Sequence, residues 1–441
     1  MMKSKFLAAL LVACMILSMA SIAMAATTVS DGAAFKTAVE AGESVVLSGD
    51  ITLNESLNVK GKTLQIDLNG NTLALADGDN FFQSNSDITI LNGTVDISNG
   101  VASGDAYINV GNYSNSATLT LKDVTFKGED YSSAYAVFYV RQNSTLNIDN
   151  CTIDLKNDKA SAGGVFKGKY PHSINITNGS VLNFTDADIG ILGGNVLIKD
   201  SELNIKGGTN AINSAAGDNE LHLTLDNAQL NLKDGVGGTG MKLRGGSTLV
   251  VKNNSSLSIS GYTDSGEYDL LLDNSGSSIS IDNSSYVAFN TLSVPSDVLD
   301  KVIDSDILDH LGDSAGDHVL AVGATVTYTD GLANENVFAD EVYTVYGGQD
   351  TPAFAGSTTR DGYTFAGWTP ALKEKVDGDI TYTATWEENA PAPVATPAPA
   401  APAAPAAPAP KTGDNTNIAL WMSLVLISGV ALLGLRKKAS K

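Results

Sequence analysis

Residues 146–155 read LNIDNCTIDL. Leu146 and Ile148 before Asn150, and Cys151, Ile153 and Leu155 after it, alternate with polar side chains. That period of two belongs to a strand with one buried face. The same shape returns as LTLKDVTF from Leu119, VLIKDSELNI from Val196, LTLDNAQLNL from Leu223 and ISIDNSSY from Ile279. Taking the polar residue after each first apolar pair as an anchor gives Asn92, Asp123, Asn150, Asn178, Asp200, Asn227, Asn253 and Asn283. The intervals run from 22 to 31 residues, about 27 on average. A third short apolar stretch follows in most repeats, such as AVFYV at 136–140, GVF at 164–166 and MKL at 241–243.

Three strands per repeat, separated by Asn, Gly and Ser, make a triangular turn. One such turn cannot bury its inward side chains, whereas stacked turns share a core and join strand to strand in parallel. The expected fold is therefore all-β: a right-handed parallel β-helix of roughly nine coils with helical caps, followed by a small second module. The anchor Asn and Asp residues are expected at the turns, bonding to backbone or to one another. The first cap is read in Ser30-Asp31 followed by AAFKTAVEA, with Phe35 and Val39 over the open end. The second is read in residues 295–311, where Val298, Leu299, Val302, Ile307 and Leu308 fall near helical spacing.

Both ends of the chain have special composition. Lys3 and Lys5 precede an apolar run from Phe6 to Leu17, and Ala23 and Ala25 supply the small residues of a signal-peptidase site, so residues 1–25 read as a secretory signal peptide. Leu11-Val12-Ala13-Cys14 also resembles a lipobox, the alternative in which Cys14 is lipidated. After cleavage at Ala25 only Cys151 remains, so no internal disulfide is expected, and a buried thiol is the default for it. Eight of the twelve prolines lie between Pro391 and Pro410, interleaved with alanine. Such a stretch favours extended polyproline II, a stiff spacer of about 3.1 Å per residue.

APKTGD, Ala409 to Asp414, precedes an apolar segment at 418–435 and the cations Arg436, Lys437, Lys438 and Lys441. This resembles the sorting signal of Gram-positive surface proteins anchored by sortase. The resemblance implies that Ala409, Pro410, Lys411, Thr412 and Gly413 are recognised, that the Thr412–Gly413 bond is cut, and that Thr412 becomes joined to peptidoglycan. Ala409 stands where the commonest family motif has leucine. A helix over the apolar segment would span about 27 Å at 1.5 Å per residue, close to a bilayer core, with its positive end on the cytoplasmic side. The membrane would hold it only until sorting. An ordinary transmembrane anchor is the alternative.

Between Gly323 and Glu388 the pattern changes to ATVTYTDG, RDGYTFAGWTP and DGDITYTATW. These strings resemble the internalin B-repeat family of small β-grasp-like modules, with Gly362, Tyr363, Phe365, Gly367, Trp368 and Trp386 at its landmarks. Tyr363, Phe365, Trp368, Tyr382 and Trp386 are the expected aromatic core. The domain plan is thus 1–25 signal peptide, 26–292 β-helix with its N-terminal helix, 293–322 cap and connector, 323–388 module, 389–409 linker and 410–441 sorting signal.

The β-helix also resembles the pectate-lyase-like superfamily, many of whose members cleave acidic polysaccharides. The paired Asp-Asp, Gly-His-Gly and Arg-x-Lys strings expected of a hydrolase do not occur in it, and its arginines are Arg141 and Arg244. His172, His222, His310 and His318 have no metal-ligand spacing, and LDHLGDSAGDH around the last two reads as a solvated acidic turn. No cofactor and no metal is expected. The net charge of −22 weighs against nucleic acid and anionic lipid as partners. The expectation is a cell-wall protein of the Gram-positive surface that binds a glycan or protein ligand. A polysaccharide lyase or hydrolase and a passive stalk are the alternatives. For a glycan, Tyr107, Tyr113 and Tyr131 are the expected contacts, because six of the fourteen tyrosines fall at 107–170. Tyr135 and Tyr139 read equally well as members of a core strand.

Overall fold

The computed structural model describes residues 26–390 except 77–80, 99, 103–105, 113, 158–161, 169–170, 215–219, 263–267, 273–275, 294–306 and 312–317. The described chain is almost entirely strand, arranged as a parallel β-solenoid.

One turn shows how it is built. Thr145–Asp149 and Thr152–Lys156 flank the corner Asn150-Cys151, and Ala162–Gly168 closes the triangle. Each strand pairs in parallel with its counterpart one turn away. Ile148 lies between Leu121 and Ile176, Ile153 between Phe126 and Leu182, and Phe166 between Phe138 and Ile191. In-register stacking puts most inward apolar residues against their own kind, so the core is one continuous column rich in Leu, Ile, Val and Phe. Residues 118–293 repeat the full three-strand pattern through about seven turns, and shorter strands back to Thr27–Val29 extend it.

The anchors are the corners. Asn92, Asp123, Asn150, Asn178, Asp200, Asn227 and Asn253 all have φ between 50 and 59°. A sharp bend between two strands requires the left-handed region, which Asn and Asp tolerate better than other residues with a Cβ. Their side chains form rungs. Asn150 Nδ2 donates to Asp123 Oδ1 at 2.5 Å, Asn178 to Asp149 at 2.7 Å, Asn227 to Asp200 at 2.7 Å and Asn253 to Asp226 at 2.7 Å. Asn283 departs from the pattern, since Asp282 organises that corner by accepting from the Ser284 and Asn253 backbone N–H groups. Leu at position 150 is expected to cost about 1–2 kcal/mol, combining left-handed strain with a lost hydrogen bond, and Gly less than Leu because it keeps the conformation. Thermal melting of Asn150→Leu and Asn150→Gly measures the difference.

Cys151 sits inside the same corner, buried, with its backbone N–H donating to Ser180 Oγ of the next turn at 3.0 Å. Burial pushes its thiol up to about 11. A protonated, enclosed thiol of this kind is unreactive filler.

At the N-terminal end, helix α1 (Gly32–Ala41) begins at Asp31, whose carboxylate accepts from the Ala34 N–H, and ends at Gly42 with φ 91°. Phe35, Ala38 and Val39 are its buried face, set against the strands Ile51–Leu53 and Leu57–Lys60. The other end differs from expectation. Of the segment read as a second helix, residues 295–306 lie outside the described residues, and Ile307–Leu311 is a strand. It pairs antiparallel with the long strand His318–Thr329, which pairs antiparallel with the last solenoid strand Tyr286–Phe289. The exposed edge of a stacked sheet presents a row of free N–H and C=O groups, and added strands satisfy them where a helix cannot.

The same strand continues into residues 323–388. There it pairs antiparallel with Glu341–Tyr346 and parallel with Ile380–Glu388, which also pairs with Tyr363–Thr369. Tyr328 is the centre of this module, its ring 5.3 Å from that of Tyr382 and 4.8 Å from that of Trp368. Buried Tyr328 and Tyr382, with half-buried Phe354 and Trp368 packed against them, form the aromatic core, while Tyr363, Phe365 and Trp386, also half-buried, stand outside that cluster. Among the described residues this module contains no helix.

Candidate functional site

The third strand of each turn carries the site. In Ser132–Val140, Ala136, Phe138 and Val140 stack on inward neighbours, which leaves Tyr135 and Tyr139 on the opposite face, half-exposed. Register then places Asn109, Tyr139 and Lys167 side by side on three successive turns, with Leu192 following. Turns repeat at about 4.8 Å, so these side chains share one surface.

Two cations bracket the two rings. Tyr135 and Tyr139 lie 4.9 Å apart, Lys167 Nζ is 4.7 Å from the centroid of Tyr135, and Arg141 Cζ is 3.6 Å from that of Tyr139. The Lys167 stem is set into the sheet, because a Cβ on Gly164 would stand 2.3 Å from Lys167 Cε. Glycine at 164 is thus what lets the side chain lie down, and Lys167 is only 8% exposed. Burial holds its ammonium below the usual lysine range, opposed by the charge of Asp188. Asn109 is buried at the edge of the group, and its Oδ1 has no hydrogen-bond partner among the described residues. Aromatic faces beside fixed polar groups suit a sugar, whose C–H face packs on a ring while its hydroxyls need partners.

No protein family, curated protein or solved structure matches the chain.

The expected contacts fall elsewhere. Tyr107 and Tyr131 are fully buried, their rings meeting edge to face 6.3 Å apart inside the core. Neither offers a face to a ligand, which corrects that expectation, and burial raises the Tyr131 phenol. Tyr107 lies on the strand Ala106–Val110 and Tyr131 in the short link between Thr118–Glu129 and Ser132–Val140, and both rings are turned into the core. Tyr113 lies outside the described residues, as do Ala23, Ala25 and the sorting residues Ala409, Pro410, Lys411, Thr412 and Gly413. Tyr135 and Tyr139 join Lys167, 28 residues beyond Tyr139, by a register that the repeat length could have signalled.

Other features do not gather into a site. His172 is enclosed at a corner, where the bare Gly168 and Gly194 leave room for its ring. Arg244 lies four turns from Arg141 in a tight turn whose carbonyl accepts from the Ser247 hydroxyl. A shallow groove of about 340 Å³ runs along the Gly179–Asp200–Asn227 corner, but Asp200 and Asn227 there bond to each other. Among the described residues no group of three or more His, Cys, Asp or Glu is arranged to hold a metal, and no helix is long and apolar enough to cross a membrane. The segment 418–435 lies outside them.

Proposed function

We propose that the chain is an exported protein of a Gram-positive surface, joined to peptidoglycan through Thr412, whose solenoid binds a glycan through Tyr135 and Tyr139. In this reading the solenoid is a right-handed β-helix of roughly nine coils closed by helix α1. Residues 323–388 are an internalin B-repeat-like module on a Pro/Ala spacer. The order of signal peptide, solenoid, module, spacer and APKTGD supports export and anchoring. The observation that carries the binding activity is the half-exposed tyrosine pair set between two cations.

A glycan array probed with the exported chain tests it. Tyr135→Ala with Tyr139→Ala is expected to weaken the bound glycan at least tenfold, about 1.4 kcal/mol, with little change in melting. Unchanged binding by the double variant removes the site, and an array with no bound glycan leaves the passive stalk. One observation favours the second reading, a polysaccharide lyase: Lys167, buried beside the half-exposed Tyr135 ring and held below the usual lysine range, stands where a general base would. Unsaturated products released from an acidic polysaccharide would establish it in place of simple binding.

A further inference from the structure

We infer that the tyrosine patch recognises an anionic sugar, with a carboxylate or sulfate of the glycan held directly by Lys167 beside Arg141. The inference rests on the glycan-binding reading and adds the charge of the ligand.

Lys167 is the informative residue because it is a buried lysine without an acceptor. On the neighbouring faces Lys127 reaches Asp96 at 2.9 Å and Lys252 reaches Asp226 at 3.1 Å, each a carboxylate one turn away. Lysines without a carboxylate partner among the described residues, such as Lys60 and Lys233, stand exposed to water. Lys167 has none: among the described residues its ammonium makes no hydrogen bond and no ion pair, and its one close contact is the ring of Tyr135. Asp188 is near enough to act on it through space but does not bond to it.

A mostly buried ammonium without an acceptor is unfavourable, and such groups persist where something else supplies the counter-charge. The surroundings are built to keep it in place. Gly164 leaves the channel for its stem, Tyr135 covers one side, and Arg141, flat against Tyr139, adds a second positive charge on the same surface. In a chain with net charge −22, an ammonium left without an acceptor among the described residues makes a local positive spot. The rings supply the apolar platform for a pyranose, and the cations select for its acidic substituent.

The test is titration of the full exported chain with three oligosaccharides of equal length: an oligogalacturonate carrying carboxylates, a heparin fragment carrying sulfates and a neutral cello-oligosaccharide. At least one acidic probe is expected to bind about tenfold or more tightly than the neutral one, with affinity falling as salt rises. Which acidic probe binds identifies the group. Lys167→Met is expected to abolish that preference while its melting temperature holds or rises, since a buried charge is removed, and Lys167→Arg is expected to keep most of it. Acidic probes bound no better than the neutral one, Lys167→Met binding as the wild type does, or loss of binding on adding EDTA would each overturn the inference. A neutral probe held through Tyr135 and Tyr139 without preference for acid would leave the proposed function standing and remove only its anionic specificity. Failure of all three probes to bind would count against both.

Discussion

Replacing Ile148 by Asp is expected to abolish the cooperative melting transition of the solenoid, or to lower its stability by about 5 kcal/mol or more. Ile148 is fully enclosed between Leu121 and Ile176 of the adjoining turns. Removing a buried isoleucine alone costs about 2–5 kcal/mol. The incoming carboxylate finds no partner among apolar side chains and adds several kcal/mol more, whether it stays charged or is forced to take a proton. Whole domains are stable by only about 5–15 kcal/mol, so the sum approaches the total. Stability in a stacked repeat also depends on each interface between neighbours, so a fault at Ile148 weakens two of them. Circular dichroism melting of Ile148→Asp beside Asn150→Leu checks the ranking. Equal stabilities would contradict the assignment of position 148 to the core and 150 to the corner.

The second large effect concerns attachment. If Thr412 forms the bond to peptidoglycan, Thr412→Ala is expected to remove all protein that survives boiling detergent on purified cell wall, moving it to the membrane fraction or the medium. The effect is all-or-none because, in this reading, sortase must recognise the threonine side chain before attacking that residue's carbonyl, and alanine keeps the carbonyl but not the side chain. Wall-linked protein persisting in the variant would reject the anchoring and leave an ordinary membrane anchor through 418–435. The solenoid is expected to melt unchanged in that variant, because residue 412 follows in sequence the last strand among the described residues, Ile380–Glu388.

The turn pattern was legible because it is local. Alternation in LNIDNCTIDL follows from side-chain parity along one strand, and an Asn or Asp at each anchor follows from the φ that a sharp corner needs, so both are visible without knowing what the strand touches. Stacking follows as well, since a strand triangle with one apolar face has to bury it against a copy of itself. Burial of the tyrosines was not local. Tyr107 and Tyr131 sit in stretches rich in Asn, Ser and Asp, yet both are enclosed in the core, while Tyr135 and Tyr139, turned away from Phe138 by parity, stay half-exposed where Val137 of the same parity is buried. The far end of the solenoid was ambiguous for a similar reason: Ile307 and Leu308 fit a helix or a strand equally, and the free edge of Tyr286–Phe289, felt through the antiparallel strand laid on it, selects the strand. The cation–aromatic cluster belongs wholly to the tertiary structure. Lys167 looks like one more scattered lysine until the 28-residue register sets it beside Tyr139 and the missing side chain of Gly164 lets it lie beneath solvent without a counter-ion, since contact across turns depends on register that no single strand contains.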